Sequence, residues 1–283
     1  MFREDFKAFV LYSGSSGNSV FVRVGESAIL IDAGKSARAL CNALRSIGES
    51  IDEIDAIFIT HEHCDHVSAL EVIEKKRNIP IHIAEASAQK FDRCAPSALQ
   101  EGLHRHPPCF SVEVGEMTVS SFVTPHDSRM SVGYRIEFAD GDGRCAVGIA
   151  TDIGYVSEDI RKGLCGCEAV VIEANHDKDM LMTGPYPHDL KQRVASRRGH
   201  LANDDCALFA TELAENGTTS IVLAHLSKEN NTPDLAFDEV SSALSGMGVT
   251  VEVAMPDDPV RIAVRKRSDS SYDEREVYNP WNA

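Results

Sequence analysis

The chain has 283 residues, with 28 Lys and Arg against 44 Asp and Glu, and 43% of its residues are hydrophobic. This length and composition are those of a globular protein with a substantial core, and they exclude a disordered chain or a fibre. No apolar run approaches the ~20 residues of a membrane span, and the N-terminus lacks the apolar segment of a signal peptide. The formal charge of −16 argues against sequence-independent coating of DNA. We therefore expect a cytoplasmic protein without membrane contact.

Short β-rich segments alternate with helical ones, and no linker or repeat divides the chain. Strands are predicted, in chain order, at 8–12, 20–24, 28–31, 56–59, 81–84, 117–122, 133–138, 145–150, 169–173, 220–223 and 249–253. Helices are predicted at 37–47, 66–76, 85–92, 187–197, 204–216 and 233–245. Thr232 before Pro233, and Asn203 before Asp204, are typical of helix N-caps. We predict one domain over residues 1–266 and a charged, loosely packed tail over 267–283.

The two β-rich halves, with helices outside them, indicate the fold class. A strand in each half is followed by a helix and a return strand. Helices packed on the outer faces of two stacked sheets would give an α/β fold, a four-layer αββα sandwich.

The strongest chemical signal is the segment 60–66 (THEHCDH), which follows the predicted strand 56–59. It holds three imidazoles and a carboxylate within six residues. Histidines two apart at a strand end point the same way, and Asp65 and His66 can face them across the turn. Imidazole nitrogen and carboxylate oxygen are ligands that suit zinc, manganese or iron. Unrelated core or surface histidines do not easily explain this density, so the segment predicts a metal site.

Three further candidate ligands follow later predicted strands. His126 stands in TPHD, Asp152 in ATDIG and His225 in LAHLS. Alone, Asp152 could equally be a turn or helix-cap residue. Because loops at strand ends collect above a sandwich, the three side chains can approach the 60–66 segment.

The HxHxDH pattern, followed in order by His126, Asp152 and His225, resembles the metallo-β-lactamase fold superfamily. The resemblance implies two divalent ions, zinc or manganese rather than iron, since histidine and carboxylate do not choose between the first two. Carried over residue by residue, it implies these ligands: His61, His63 and His126 for one ion, Asp65, His66 and His225 for the second, and Asp152 bridging both.

Two such ions define a reaction class. At a separation of roughly 3.5–4 Å they can share a water, lower its pKa toward neutrality and stabilise both the attacked and the departing oxygen. The expected reaction is hydrolysis with a metal-bridging hydroxide as nucleophile. Asp65 can also accept a hydrogen bond from the nucleophile, which makes it a predicted catalytic residue.

Further segments are similar to the YycJ (WalJ) group of bacterial DNA exonucleases. The similar segments, within residues 8–255, include 13–19 (SGSSGNS), 30–34 (LIDAG), 151–156 (TDIGYV), 173–177 (EANHD), 199–203 (GHLAN) and 225–233 (HLSKENNTP). The resemblance implies a phosphodiesterase or nuclease with 5′–3′ exonuclease character, acting on nucleic acid, DNA rather than RNA, or on a small phosphodiester. The stretch between Asp152 and His225 is too short for the second domain of ribonuclease J-type enzymes, so no inserted nuclease domain is expected.

His176 and His200 match places that, in ribonuclease Z and similar phosphodiesterases, serve phosphate binding and proton transfer. A correctly placed imidazolium would contribute about 10²–10⁴-fold to the rate. The resemblance therefore makes both histidines candidate catalytic residues. A structural or helix-capping role for His200 stays open.

Two polar segments near these residues have open alternatives. The basic cluster Lys191, Arg193, Arg197 and Arg198 is either a solvated helix face or a nucleic-acid contact. The Ser/Gly loop 13–19 is either a tight hairpin or a phosphate-contacting loop.

Other functions fit the same metal ligands. The main alternative is a metal-dependent acyl hydrolase that cleaves a thioester, lactone or β-lactam bond. Redox chemistry at an iron pair is disfavoured, because neither the altered ligand pattern of the flavodiiron relatives nor their flavodoxin-like domain appears in this sequence. A non-catalytic binding module is disfavoured, because all seven ligand positions hold competent residues. Assembly as a homo-oligomer is left open.

Overall fold

In the computed structural model, residues 6–92, 95–141 and 143–264 are described. The strands are β1 Phe6–Tyr12, β2 Ser19–Val24, β3 Ser27–Ile31, β4 Ala56–Ile59, β5 Ile81–Ala84, β6 Leu103–His106, β7 Ser111–Val114, β8 Met117–Thr124, β9 Ser131–Asp140, β10 Gly143–Ala150, β11 Ala169–Glu173, β12 Ser220–Ala224, β13 Thr250–Val253 and β14 Val260–Arg261. The helices are α1 Ala37–Ser46, α2 Cys64–Val67, α3 Leu70–Arg77, α4 Glu85–Ala88, α5 Ser97–Gly102, α6 Glu158–Leu164, α7 Lys178–Thr183, α8 His188–Val194, α9 Asn203–Glu215 and α10 Pro233–Ala243, with a 3₁₀ turn at Ile51–Glu53.

The strands form two seven-stranded sheets of similar design. The first has the order β14-β1-β2-β3-β4-β5-β6 and the second β13-β12-β11-β10-β9-β8-β7. In each sheet antiparallel hairpins continue into parallel strands, β3 to β6 in the first and β10 to β13 in the second. Parallel neighbours end at the same edge of a sheet, so the loops after β4, β10, β11 and β12 open on the side where ligands bind in such sheets.

Three apolar layers hold the sandwich together. The central layer lies between the sheets and contains Phe58 and Tyr134. A second packs the outer face of the first sheet against α1 and α3, and a third packs the second sheet against α6, α9 and α10. The predicted four-layer αββα sandwich is confirmed. Between Asp152 and His225 the chain forms only elements of this sandwich and its connections, without an inserted nuclease domain.

The structure also corrects two local predictions. The helix predicted at 66–76 is broken, because Ala69 is fully buried and its amide donates to the carbonyl of Ala33 (2.9 Å) instead of continuing the turn. Asn203 does not cap α9: it lies inside the helix, and its side chain exchanges hydrogen bonds with Asn231 at 2.9 Å. The predicted Thr232 cap is confirmed, since its hydroxyl accepts from the amide of Leu235.

Two predictions concern the extent of the chain and its surroundings. The tail predicted at 267–283 lies outside the described residues, and the boundary at 266 stays a prediction. None of the helices in the described ranges has both the length and the apolar character needed to cross a membrane.

Candidate metal centre

The candidate centre lies where the ends of four strands meet. β4 leads into His61, β8 leads toward His126, β10 leads toward Asp152 and β12 leads into His225. Asp152 and His225 have positive φ angles of 57° and 58°, which non-glycine residues rarely adopt. This left-handed turn directly after a strand bends the chain and aims both side chains into the centre, a strain that is typical of functional sites.

The first ligand group is the one predicted for the first ion. His61 Nε2 lies 3.0 Å from His63 Nδ1, and the His126 ring lies 5.0 and 5.2 Å from the rings of His61 and His63. One nitrogen from each of the three comes within 4.8 Å of the others. Three imidazole nitrogens this close can bind one cation.

The second group consists of Asp65, His66 and His225. Asp65 Oδ2 lies 3.4 Å from His66 Nε2 and 3.8 Å from His225 Nε2. Asp152 lies beside both groups: its oxygens are 3.2 Å from His66 Nε2, 3.5 Å from His225 Nε2 and 3.8 Å from His126 Nε2. The structure therefore brings all seven predicted ligands into one cluster.

Two of these atoms have no hydrogen-bond partner among the described residues, although other candidate ligands lie close to them. Asp152 Oδ2 and His225 Nε2 are buried and make no hydrogen bond. A buried polar atom without a partner costs roughly 1–3 kcal/mol, so native proteins rarely leave one unsatisfied. Both are ligand atoms by chemistry and both face the cluster, which is the arrangement expected where a divalent cation binds.

The carboxylates control the protonation of the histidines around them. Burial lowers the pKa of His225, but Asp152, Asp65 and Glu173 outweigh burial and raise the pKa to about 10. Carboxylates concentrated in a buried site attract cations as well as protons. The electrostatics of the centre thus favour a divalent metal ion.

Comparison with known proteins places this site in a family. A family model described as a β-lactamase superfamily domain matches residues 27–226, which span both ligand groups. The chain belongs to the metallo-β-lactamase superfamily. The predicted superfamily and the predicted hydrolase class are confirmed by this match and by the relatives below.

Two curated relatives match most of this superfamily member. The chain is 33% identical over 256 residues to "Exodeoxyribonuclease WalJ" of Streptococcus pneumoniae, covering 88% of this chain and 93% of the relative. It is 34% identical over 246 residues to "Exodeoxyribonuclease YycJ" of Bacillus anthracis, covering 86% and 90%. These values confirm the predicted YycJ (WalJ) resemblance.

A solved structure matches the metallo-β-lactamase fold itself. YhfI of Bacillus subtilis, described as a metallo-β-lactamase fold protein, superimposes with a TM-score of 0.68 over 91% of this chain and 100% of its own, at 17% identity. At that identity the match supports the fold alone.

Asp32 is a buried carboxylate of this metallo-β-lactamase site that the sequence analysis did not single out. It accepts hydrogen bonds from the Thr60 amide (2.8 Å), the Thr60 hydroxyl (2.9 Å) and His66 Nδ1 (2.7 Å). Because Nδ1 of His66 is occupied by Asp32, Nε2 is the ring nitrogen that faces the centre and that can bind a cation in place of a proton. The segment LIDAG contained the signal, a single carboxylate directly after a buried strand.

Glu173 is the second carboxylate that was not singled out. It is fully buried at the end of β11, and its Oε1 lies 2.8 Å from both His200 Nδ1 and His225 Nδ1. Its Oε2 accepts from the amides of Ile153 (2.8 Å) and Leu201 (3.1 Å). Burial raises the pKa of Glu173, but the two histidines outweigh burial and hold it at about 2. One ionised carboxylate therefore orients both imidazoles.

The two histidines predicted from ribonuclease Z lie in different surroundings. His200 Nδ1 lies 3.8 Å from Asp152 Oδ1, and its ring is 5.3 Å from that of His126, so His200 belongs to the cluster. His176 is 2% exposed, and in the described part of the chain its ring stacks on no other histidine and its Nδ1 has no hydrogen-bond partner. The structure does not bring the His176 side chain into the cluster, and its catalytic role stays a prediction.

Each cation of the basic cluster has a partner within the protein. Arg193 Nε pairs with Asp127 Oδ2 at 2.6 Å, and Arg197 lies over the Tyr155 ring at 4.0 Å. The other two donate to backbone carbonyls: Lys191 to that of Met182 and Arg198 to that of His126. These contacts attach the helix and its following turn to the site, rather than forming an array of unpaired cations.

The Ser/Gly loop 13–19 contacts the site directly. The Ser13 hydroxyl accepts a hydrogen bond from the His225 amide at 2.7 Å. Asn18 Nδ2 donates to Asp65 Oδ2 at 3.2 Å, while its Oδ1 accepts from the Gly14 amide at 2.8 Å. The loop therefore positions residues of the second ligand group.

Proposed function

We propose that the cluster binds two divalent metal ions, zinc or manganese, and that the protein hydrolyses phosphodiester bonds. The proposed ligands are His61, His63 and His126 for one ion, Asp65, His66 and His225 for the other, and Asp152 between them. The observation that carries the proposal is the convergence of seven buried or half-buried residues, two of which each have a buried atom without a hydrogen-bond partner among the described residues. When bound, the ions would supply a deprotonated water near neutral pH and positive charge for the attacked oxygen.

The chain's own groups support the reaction in two places. Asp65 is half-buried, with the amide of Asn18 on one oxygen, and it can accept a hydrogen bond from the attacking water and fix its direction. Glu173 holds His200 through Nδ1, so His200 Nε2 is free to donate a proton to a phosphate oxygen or to the leaving oxygen. Glu173 also raises the pKa of His200 against the effect of burial, which favours the protonated donor.

We further propose that the substrate is DNA and that the enzyme is an exonuclease. The relatives that match nearly the whole chain are named exodeoxyribonucleases. The Glu173–His200 pair supports the phosphodiesterase part of the proposal, because a proton donor beside the ions serves the departing oxygen of a phosphodiester.

The test measures cleavage of three substrates with manganese or zinc added. They are a 3′-labelled DNA duplex, the matching RNA and bis-p-nitrophenyl phosphate. Wild type is compared with Asp65→Ala and His200→Ala. His188→Ala serves as the control, because this exposed histidine hydrogen-bonds to Gln192 on its own helix and belongs to none of the candidate metal-binding groups of the described residues. We expect stepwise loss of DNA, abolished by Asp65→Ala, reduced about 10²–10⁴-fold by His200→Ala and unchanged by His188→Ala.

Other outcomes would change the proposal in defined ways. Cleavage of the small diester alone would indicate a nucleotide or metabolite phosphodiesterase. If the metal-loaded protein cleaves none of the three but hydrolyses thioesters or lactones, the acyl hydrolase predicted as the alternative replaces it. The cytoplasmic location and the homo-oligomer stay predictions.

A further inference from the structure

A cavity of about 370 Å³ opens beside the metal centre. His200 and His225 line it from the centre, and α8 with the segment before it contributes Tyr186, Leu190 and Val194. The volume lies in the range of about 300–1,000 Å³ that is typical of sites for small molecules. A group bound in this cavity would lie next to the bond that the centre cleaves.

Tyr186 is the unusual residue of this cavity. It is half-exposed, and its ring and hydroxyl have no aromatic, cation–π or hydrogen-bond partner among the residues described here. Other tyrosines of the sandwich are engaged: Tyr12 and Tyr134 donate to backbone carbonyls, and Tyr155 lies beneath Arg197. An aromatic ring that lines a cavity beside the candidate metal centre, without an aromatic or cation–π partner among the described residues, is suited to stack on a planar group.

Charged side chains accompany the aromatic wall, namely the cations Arg193 and Lys228 and the carboxylates Asp127 and Glu229. Arg193 lines the cavity while paired with Asp127, and Lys228, from the loop after His225, also lines it. Lys228 forms no ion pair within the described ranges. A planar aromatic group attached to a phosphate matches this combination, because the planar group can stack on the tyrosine ring and the phosphate can pair with the lysine ammonium.

We propose that this cavity binds the nucleobase of the terminal nucleotide of a DNA strand, with Tyr186 stacked on the base and Lys228 beside a phosphate. The inference rests on the proposed phosphodiesterase function and identifies what part of the substrate the site holds. Base stacking on an aromatic side chain tolerates every sequence, since each base has a π face. The cavity would therefore select a strand end without selecting its sequence, as an exonuclease requires.

The test measures DNA binding rather than cleavage. Duplexes with phosphorothioate linkages, which resist hydrolysis, carry either a normal or an abasic terminal nucleotide, and their Kd is measured for wild type, Tyr186→Ala and Tyr186→Phe. We expect the abasic end to weaken wild-type binding on the order of 10- to 100-fold. Tyr186→Ala should show a similar loss with the normal end and little further loss with the abasic end, and Tyr186→Phe should recover most of the affinity.

Two further measurements separate stacking from misfolding. His188→Ala, on the same helix but outside the cavity lining, should bind both duplexes as wild type does. A terminal 2-aminopurine should be quenched on binding to wild type and not to Tyr186→Ala, whereas 2-aminopurine placed well inside the duplex should not respond to either. Folding of each variant is checked by thermal unfolding.

The outcomes distinguish this inference from the proposed function. If the enzyme degrades DNA but binds normal and abasic ends equally, the cavity assignment is wrong and the exonuclease proposal stands. An abasic penalty that persists undiminished in Tyr186→Ala also overturns the assignment. Failure of wild type to bind any duplex overturns it as well, and the cleavage assay then decides the proposed function independently.

Discussion

The protein contains two clusters of histidines, and only one resembles a metal centre. The second lies at the edge of the first sheet, where His82 on β5 pairs in register with His104 on β6 and His106 follows two residues later. His82 Nδ1 is 2.9 Å from His106 Nε2, and the His82 ring stacks on His104 and His106 at 5.0 and 5.2 Å. The distances between neighbouring histidine rings are thus similar in both places.

The clusters differ in their neighbours. Phe58 stacks on His82 at 4.7 Å and Phe110 on His106 at 4.1 Å, and the ion pairs of the described residues include none to these three histidines. Burial first, then His106 and His104, lowers the pKa of His82 to about 4, whereas carboxylates raise that of His225 to about 10. A cation site therefore needs more than a group of histidines. It also needs carboxylates, which orient the imidazoles and supply negative charge.

Removal of the Asp152 carboxylate should have the largest effect on activity and on metal content, the two properties that distinguish the clusters. We expect Asp152→Asn to lower activity on the order of 10³-fold and to reduce the bound metal below two ions per chain, because Asp152 lies beside both ligand groups. Metal content is measured by mass spectrometry on the purified protein. His104→Ala, in the other cluster, should leave metal content unchanged, and two ions retained with full activity in Asp152→Asn would contradict the distinction between the clusters.

A neutral isostere of Glu173 tests whether orientation matters as well as charge. Glu173→Gln should lower kcat by up to about 100-fold, because the amide nitrogen of glutamine cannot accept a hydrogen bond. It would face either the two imidazoles at the place of Oε1 or the amides of Ile153 and Leu201 at the place of Oε2. The pH profile of kcat should also change, since His200 loses the carboxylate that favours its protonated form. An unchanged pH profile, with kcat reduced only as far as the thermal stability falls, would assign Glu173 to structure alone.

Substitution of Asp32, which also belongs to the candidate metal centre, should have a smaller effect. Asp32→Asn removes the ionised acceptor of His66 Nδ1 but keeps the shape of the side chain. We expect metal affinity about 10-fold weaker, with kcat at saturating metal close to wild type. Metal titration of the chelator-treated protein measures the affinity, and equal dissociation constants in both proteins would refute the orienting role.

The smallest effect concerns stability at the sheet edge. Because the folded pKa of His82 is about 4, below its ordinary value, the unfolded chain binds the proton more readily. The stabilisation is complete above about pH 6.5 and is lost as the pH falls toward 4. The groups facing this ring are Phe58, His104 and His106, with Glu74 near His104. As the pH falls from 7.5 to 5, His82→Phe should therefore lose less of its free energy of unfolding than wild type does.

Urea unfolding midpoints at pH 7.5 and pH 5 test this prediction in both proteins. The difference between the two pH values should be smaller in His82→Phe. A phenylalanine variant with the same pH dependence as wild type would show that His82 titrates alike in the folded and unfolded states.

Local patterns determined a large part of this protein. The strand bounds at 56–59, 81–84 and 169–173 agree with the structure. These short runs are rich in β-branched residues, which favour the extended backbone of a buried strand. The density of the 60–66 segment indicated a metal site, and the resemblance of the later strand ends to the superfamily pattern indicated the candidate ligands that the structure brings together. Each of these strands and motifs consists of residues that are close in sequence.

The tertiary structure decided what depends on distant residues. The strands β6 and β7 were not predicted, since their polar residues become strand by pairing at a sheet edge. Asp32 and Glu173 are single acids in apolar segments, and only the fold shows which imidazoles they orient. Only the fold shows, too, that His82 lies at a sheet edge and not in the candidate metal centre. A sequence specifies which donors are available, but the geometry that makes a cation site requires side chains from strands far apart in the chain to converge.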